Sequence, residues 1–176
     1  MANPREAFDY VMDHEDRSRS GVITYDAGGA TRFGIAAKYH PEEFPALEEM
    51  SVSQALNRAW DLFQRDYWQP AFNELNSQAV ASKLADLCYQ CGTARGIKIA
   101  QQAVNKLGYS VTVDGIMGPE TRRALNLCEE IYLLHAMCAL AREEHIKEYA
   151  AAGKKIPAGI LARDNDFPLP AGMHKV

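Results

Sequence analysis

Tyr25-Asp26-Ala27-Gly28-Gly29-Ala30-Thr31-Arg32-Phe33-Gly34-Ile35 decides the fold, because it interrupts an otherwise helical chain. Val22-Ile23-Thr24-Tyr25 and the run from Thr31 to Ile35 read as short strands joined by an Asp-Ala-Gly-Gly turn. Upstream, Asn3-Pro4-Arg5-Glu6 reads as a helix start, with an Asn cap, Pro in first position and Glu in third. That helix is expected to reach about Asp16, with Phe8, Val11 and Met12 on its apolar stripe. Downstream, Ser51-Val52-Ser53-Gln54 resembles a capping box opening a helix to about Tyr67. Further helices are expected from about Ser77 to Cys91 and from Thr93 to Leu107, the latter capped by Gly108. A loop around Asp114-Gly115 and Gly118 follows. Pro119 then opens either one helix to about Ala150 or two helices broken near the middle. From Gly153 an irregular tail is expected, packed through Ile156, Ile160, Leu161 and Phe167. The fold class is therefore mainly α, with one small β-hairpin sheet near the N-terminus.

The 176 residues are 47% apolar and 24% charged, which excludes a disordered or fibrous chain. A chain of this length buries roughly 70% of its unfolded surface and needs no disulfides to hold it. A net charge of -4 argues against a nucleic-acid binder, whose phosphate contacts need a basic field. The N-terminus has no apolar core of signal-peptide length and no run reaches the ~20 apolar residues of a membrane span. Synthesis in the cytoplasm without a signal peptide, and no membrane insertion, are the expectations. Cys88-x-x-Cys91 could suggest zinc or redox chemistry, but Cys128 and Cys138 supply no second tight ligand pair. Buried core thiols are expected instead, with no metal and no cofactor.

Glu15 is the first residue whose type and place suggest chemistry. It extends the stripe of Phe8, Val11 and Met12, and burial there favours the neutral form of a carboxyl group. Such a group at a helix end suits a general acid for glycoside cleavage; alternatively it pairs with Arg17 or Arg19. Asp26 would close one strand and Thr31 open the next, so a carboxylate and a hydroxyl could together hold water at one hairpin mouth. Gly28 and Gly29 would let the chain turn sharply and a bulky substrate approach. An acid on one side of a glycosidic bond and a water-holding carboxylate on the other is the arrangement of an inverting hydrolase.

His14-Glu15 followed by Asp26-Ala-Gly-Gly-Ala-Thr31-Arg-Phe-Gly34-Ile35 resembles the glycoside hydrolase family 108 muramidases, phage endolysins and secretion-associated lysozymes of mainly helical, lysozyme-like fold. The resemblance implies cleavage of the peptidoglycan glycan chain, with Glu15 as the catalytic acid. Where that family commonly has two glycines after the glutamate, this chain has Asp16-Arg17 and a longer Ser-rich connection, so Asp16 or Asp13 stand as alternatives to Asp26. Gln101-Gln102-Ala-Val-Asn-Lys-Leu-Gly108, with Val113-Asp114-Gly115-Ile116-Met117-Gly118-Pro119-Glu120-Thr121, is similar to the peptidoglycan-binding helical module that follows the catalytic part in these enzymes. It implies wall-binding roles for Asp114, Gly115 and Thr121.

The resulting expectation is a catalytic part over residues 1–92 and a peptidoglycan-binding subdomain with its tail over 93–176. Trp68, Tyr89 and Gln90 are the candidate groove residues, drawn from a set of rings that includes Tyr25, Phe33, Tyr39 and Tyr67. His135 is expected in the core. The expected partner is the peptidoglycan glycan strand, met by a monomer that reaches the wall through a pore or secretion system. A lytic transglycosylase, which needs one Glu, and a non-catalytic wall-binding or secretion-assembly protein are the alternatives.

Overall fold

In the computed structural model, which describes residues 1–26 and 29–169, the first helix α1 runs Pro4–Glu15. Asn3 caps it by accepting from the Arg5 amide at 2.9 Å, and Phe8, Val11 and Met12 are buried along its inner face. A three-stranded antiparallel sheet follows: β1 (Thr24–Asp26), β2 (Gly29–Arg32) and β3 (Ile35–Ala36). Thr24 pairs with Thr31 and Asp26 with Gly29, while Arg32 pairs with Ile35. The second strand therefore starts two residues earlier than the sequence suggests and ends at Arg32, and Ile35 opens a third strand instead of closing the second. Phe33 and Gly34 leave it for a two-residue turn with φ of 50° and 75°, the positive values a tight hairpin needs. Phe33 tolerates this strained value because its ring is buried and the Tyr89 hydroxyl donates to its carbonyl at 2.8 Å.

Arg32 ties the sheet to the helices beside it. Its buried guanidinium donates to the carbonyls of Gly21, Leu47 and Met50 at 2.9, 2.6 and 2.8 Å. The last two close the C-terminal end of α2 (Phe44–Glu49), where orphan carbonyls favour a cation. The Ser51–Gln54 capping box forms as expected and opens α3 (Val52–Leu62), which runs into a π-helical turn over Phe63–Tyr67. A 3₁₀ turn over Pro70–Glu74 leads on to α4 (Gln78–Cys91), capped by Ser77.

Helix α4 is the centre of the molecule. Every residue from Ala79 to Tyr89 is buried, as expected of a helix enclosed on all sides. The helices α1, α5 (Thr93–Lys106) and α7 (Glu130–Ala151) pack around it. Phe8, Phe63, Trp68 and Phe72 form an aromatic wall at ring distances of 5.3 to 6.1 Å. Each such fully buried ring contributes about 1.5–3 kcal/mol relative to exposure. The sequence left one long helix or two after Pro119, and two form. Here α6 (Pro119–Leu127) meets α7 at a 118° bend across Cys128 and Glu129. Among the described residues no single helix is long and apolar enough to cross a membrane.

The expected irregular tail contains one more helix, α8 (Ala158–Asp164). Asp164 is fully buried and both its oxygens lie 3.0 Å from His145 Nδ1 on α7. His135 is exposed rather than core, on the outer face of α7 with the Phe167 ring 5.0 Å away.

Candidate active site

Glu15 is the last residue of α1, and the helix stops there for a visible reason. The next residue, Asp16, leaves helical geometry at φ -153° and ψ 81°. Its carboxylate accepts from the Gly21 amide at 2.6 Å, the Ser18 hydroxyl at 2.9 Å and the Ser20 hydroxyl at 3.2 Å. Burial pushes this carboxyl up, but those hydrogen bonds outweigh it and hold Asp16 below the ordinary carboxylate range. Asp16 thus organises the connection to the hairpin. Asp13 pairs with Arg19 at 2.9 Å on the surface.

The Glu15 side chain is 19% exposed and faces two elements. On one side is the hairpin turn. A Cβ placed on Gly34 would lie 2.7 Å from Glu15 Cδ and Oε2 and 2.7 Å from the Tyr89 ring, so a side chain there would collide with the carboxyl group. On the other side is α8, where Arg163 Nη1 donates to Glu15 Oε1 at 2.6 Å. Arg163, rather than Arg17 or Arg19, is the partner, and Arg19 reaches back to Asp13 and to the Asp9 carbonyl of α1.

Arg163 also donates through Nε and Nη2 to Asp86 Oδ1 on α4, at 2.9 and 2.7 Å. Lys83 Nζ, also fully buried, lies 3.3 Å from Asp86 Oδ2 and donates to the Arg163 carbonyl at 3.0 Å. Burial would raise the Asp86 carboxyl, but the charges of Arg163 and Lys83 outweigh it and hold Asp86 below its ordinary value. Desolvation opposes the Arg163 charge, yet Asp86 and Glu15 together raise that guanidinium above its usual range. Two carboxyl groups and two cations therefore meet at the middle of α4.

Thr31 stands on β2, three residues before Gly34, and the Asp26 backbone pairs with Gly29 at the opposite end of the same hairpin. Gly29 is exposed, with open space where a side chain would begin. Gly28 lies outside the described residues, as does the Asp26 side chain. Tyr89 joins the Glu15 neighbourhood, and burial pushes its phenol well above the usual value. Gln90, one turn beyond Asp86, is half-buried. Trp68 stands in the aromatic core, 7% exposed, with its indole donating to Asn73 at 3.0 Å. The rings that face solvent beside the hairpin are Tyr25 and Tyr39. Sequence reading missed Arg163, Asp86 and the role of Gly34.

A second polar cluster lies in the C-terminal half. The fully buried Gln101 amide donates to Asp114 Oδ1 at 2.8 Å and to Thr121 Oγ1 at 3.2 Å, and its oxygen accepts from the Gly115 amide at 2.9 Å. Gln101 brings Asp114, Gly115 and Thr121 together, with Gly115 and Thr121 buried and Asp114 at the surface. Cys88 is buried among apolar side chains, and its thiol is pushed well above its ordinary value by that burial. Among the described residues no group of three or more His, Cys, Asp or Glu side chains converges as a metal site. A surface cavity of about 730 Å³ lies away from Glu15, lined by residues that include Glu6, Tyr10, Gln78, Asn126 and Leu169.

Residues 8–92 match the glycosyl hydrolase 108 family, and residues 95–156 match a family described as a predicted peptidoglycan domain. The chain is also similar to a solved structure described as that of Brucella abortus SagA, at 21% identity and a TM-score of 0.62. That similarity covers 92% of this chain and 91% of the other, and establishes a shared fold. No curated protein matches the sequence. The two family matches together assign the molecule to peptidoglycan, as a polymer it cleaves or binds.

Proposed function

For a chain whose residues 8–92 belong to glycosyl hydrolase family 108, we propose a muramidase that hydrolyses the β-1,4 bond between N-acetylmuramic acid and N-acetylglucosamine. The observation that carries this reading is the setting of Glu15. It is a carboxyl group at a helix end, mostly buried, with one oxygen held by Arg163 and the other turned to a glycine where no side chain intrudes. A general acid needs that fixed orientation and that limited contact with water.

Glu15 protonates the leaving glycosidic oxygen as the bond to the muramic acid C1 breaks. Asp26 and Thr31, on the hairpin, hold a water molecule on the other face of the ring. Asp26 takes its proton as its oxygen bonds to C1, and the configuration inverts. With Asp16 and Asp13 engaged in the connecting loop and at the surface, Asp26 is the stronger second carboxylate. Exposed Tyr25 and Tyr39 offer faces on which sugar rings can stack. Mass spectrometry of the fragments released from purified sacculi tests the reaction. Hydrolysis predicts reducing muramic acid ends carrying one added water. Anhydro-muramyl ends would replace it with lytic transglycosylation, and wall binding with no released fragment would replace it with a binding protein.

A further inference from the structure

We propose that Arg163 is a positioning residue for Glu15, so that the general acid is completed by a helix outside both family-matched stretches. The inference rests on the general-acid reading of Glu15 and adds the element that orients it. The matched regions end at residues 92 and 156, whereas Arg163 stands on α8, 148 positions from the carboxylate it holds.

The chemistry follows from what a guanidinium can do. It presents five N–H donors in a planar fork, stays charged, and accepts no hydrogen bond. Glu15 Oε1, 2.6 Å from Nη1, can therefore act only as an acceptor, and the proton that Glu15 delivers must reside on Oε2. Oε2 is the oxygen beside Gly34, on the hairpin side where the sugar would lie. The last torsion of a free glutamate is broad and roughly two-fold, so an untethered carboxyl would present its proton in several directions. Arg163 selects one.

The fork is itself fixed at three points. Its Nε and Nη2 grip Asp86 at 2.9 and 2.7 Å, its own carbonyl accepts from Lys83 at 3.0 Å, and the neighbouring Asp164 is held by His145 at 3.0 Å. Asp86 and Lys83 are fully buried, so α8 is docked through charges held out of water. Glu15 is the member of the cluster whose second oxygen lies against the hairpin turn, at Gly34.

Steady-state kinetics on soluble glycan strands, with Arg163→Lys in the full chain, tests the assignment. Lysine keeps a cation for Asp86 but cannot donate to two carboxylates in a fixed fork, so the variant should fold with a near-native thermal transition. The expected result is a roughly 10–100-fold fall in kcat, the scale of a displaced catalytic group, with KM little changed. The same substitution placed in a Glu15→Gln background should produce no further fall in the residual rate, because Arg163 acts through Glu15. An unchanged kcat in Arg163→Lys, or an equal fall in both backgrounds, overturns the proposal while leaving the muramidase reading intact. A wild-type protein that cleaves no glycan overturns both.

Discussion

The Glu15 and Gln101 neighbourhoods are both polar clusters inside an apolar molecule, yet one is built on charged groups and the other on a neutral amide. Gln101 is neutral, and its amide ties Asp114, Gly115 and Thr121 into a single loop–helix junction. Its amide spends both its donor and its acceptor on the loop and the helix start, so the cluster acts as a knot that shapes the loop. The Glu15 cluster brings two carboxyl groups and two cations to α4, and leaves one Glu15 oxygen against the glycine of the hairpin turn. A neutral network of this kind specifies structure, whereas a rigid network that orients a titratable group can do chemistry.

Asp86→Ala should separate the two most strongly. It leaves Arg163 and Lys83 as buried cations without their shared partner, a loss of about 3–5 kcal/mol in denaturant unfolding. An effect below 1 kcal/mol would show that the charged cluster does not hold α8 in place. A matched pair of variants sharpens the contrast at similar stability loss. Gly34→Ala places a methyl against Glu15 at a positive φ, and Gln101→Ala strands the buried Gly115 amide and Thr121 hydroxyl. Each should lower stability by about 1–3 kcal/mol. Cleavage per folded molecule should fall much further in Gly34→Ala, and an equal fall in both would erase the distinction between site and knot.

The smallest expected difference is in acid titration. Asp86 and Asp114 both have carboxyls held below their ordinary value, Asp86 by charges in a buried site and Asp114 by hydrogen bonds from Gln101 and the Ile116 amide at the surface. Each contributes stability that is present above the ordinary carboxylate range near pH 4 and lost as pH falls through its lower folded value. Solvent screens the exposed Asp114, so Asp86→Asn should flatten the acid limb of stability against pH more than Asp114→Asn.

What the sequence revealed follows the range of the interactions. Asn3, Ser51 and Ser77 announce their helices because a cap acts on an amide two or three residues away. The hairpin was legible from its glycines and β-branched residues, but the Phe33–Gly34 turn was not, since Phe33 takes a positive φ only through its buried ring and Tyr89. The bend at Cys128–Glu129 stayed open because apolar residues continue on both sides of it. Glu15 stood out by helix periodicity. Arg163 had no local signal, as its seven-residue helix sits among Gly and Pro and both its carboxylate partners come from far along the chain. Trp68 shows the reverse limit, because composition cannot tell a core ring from a groove ring.

Glu15→Gln assayed on purified sacculi tests the central claim most directly. The amide oxygen can still accept from Arg163, so the fold and its thermal transition should persist. Release of reducing ends should fall by about 10²–10⁴-fold, the contribution of a general acid. A Glu15→Gln protein that cleaves at the wild-type rate would contradict the account.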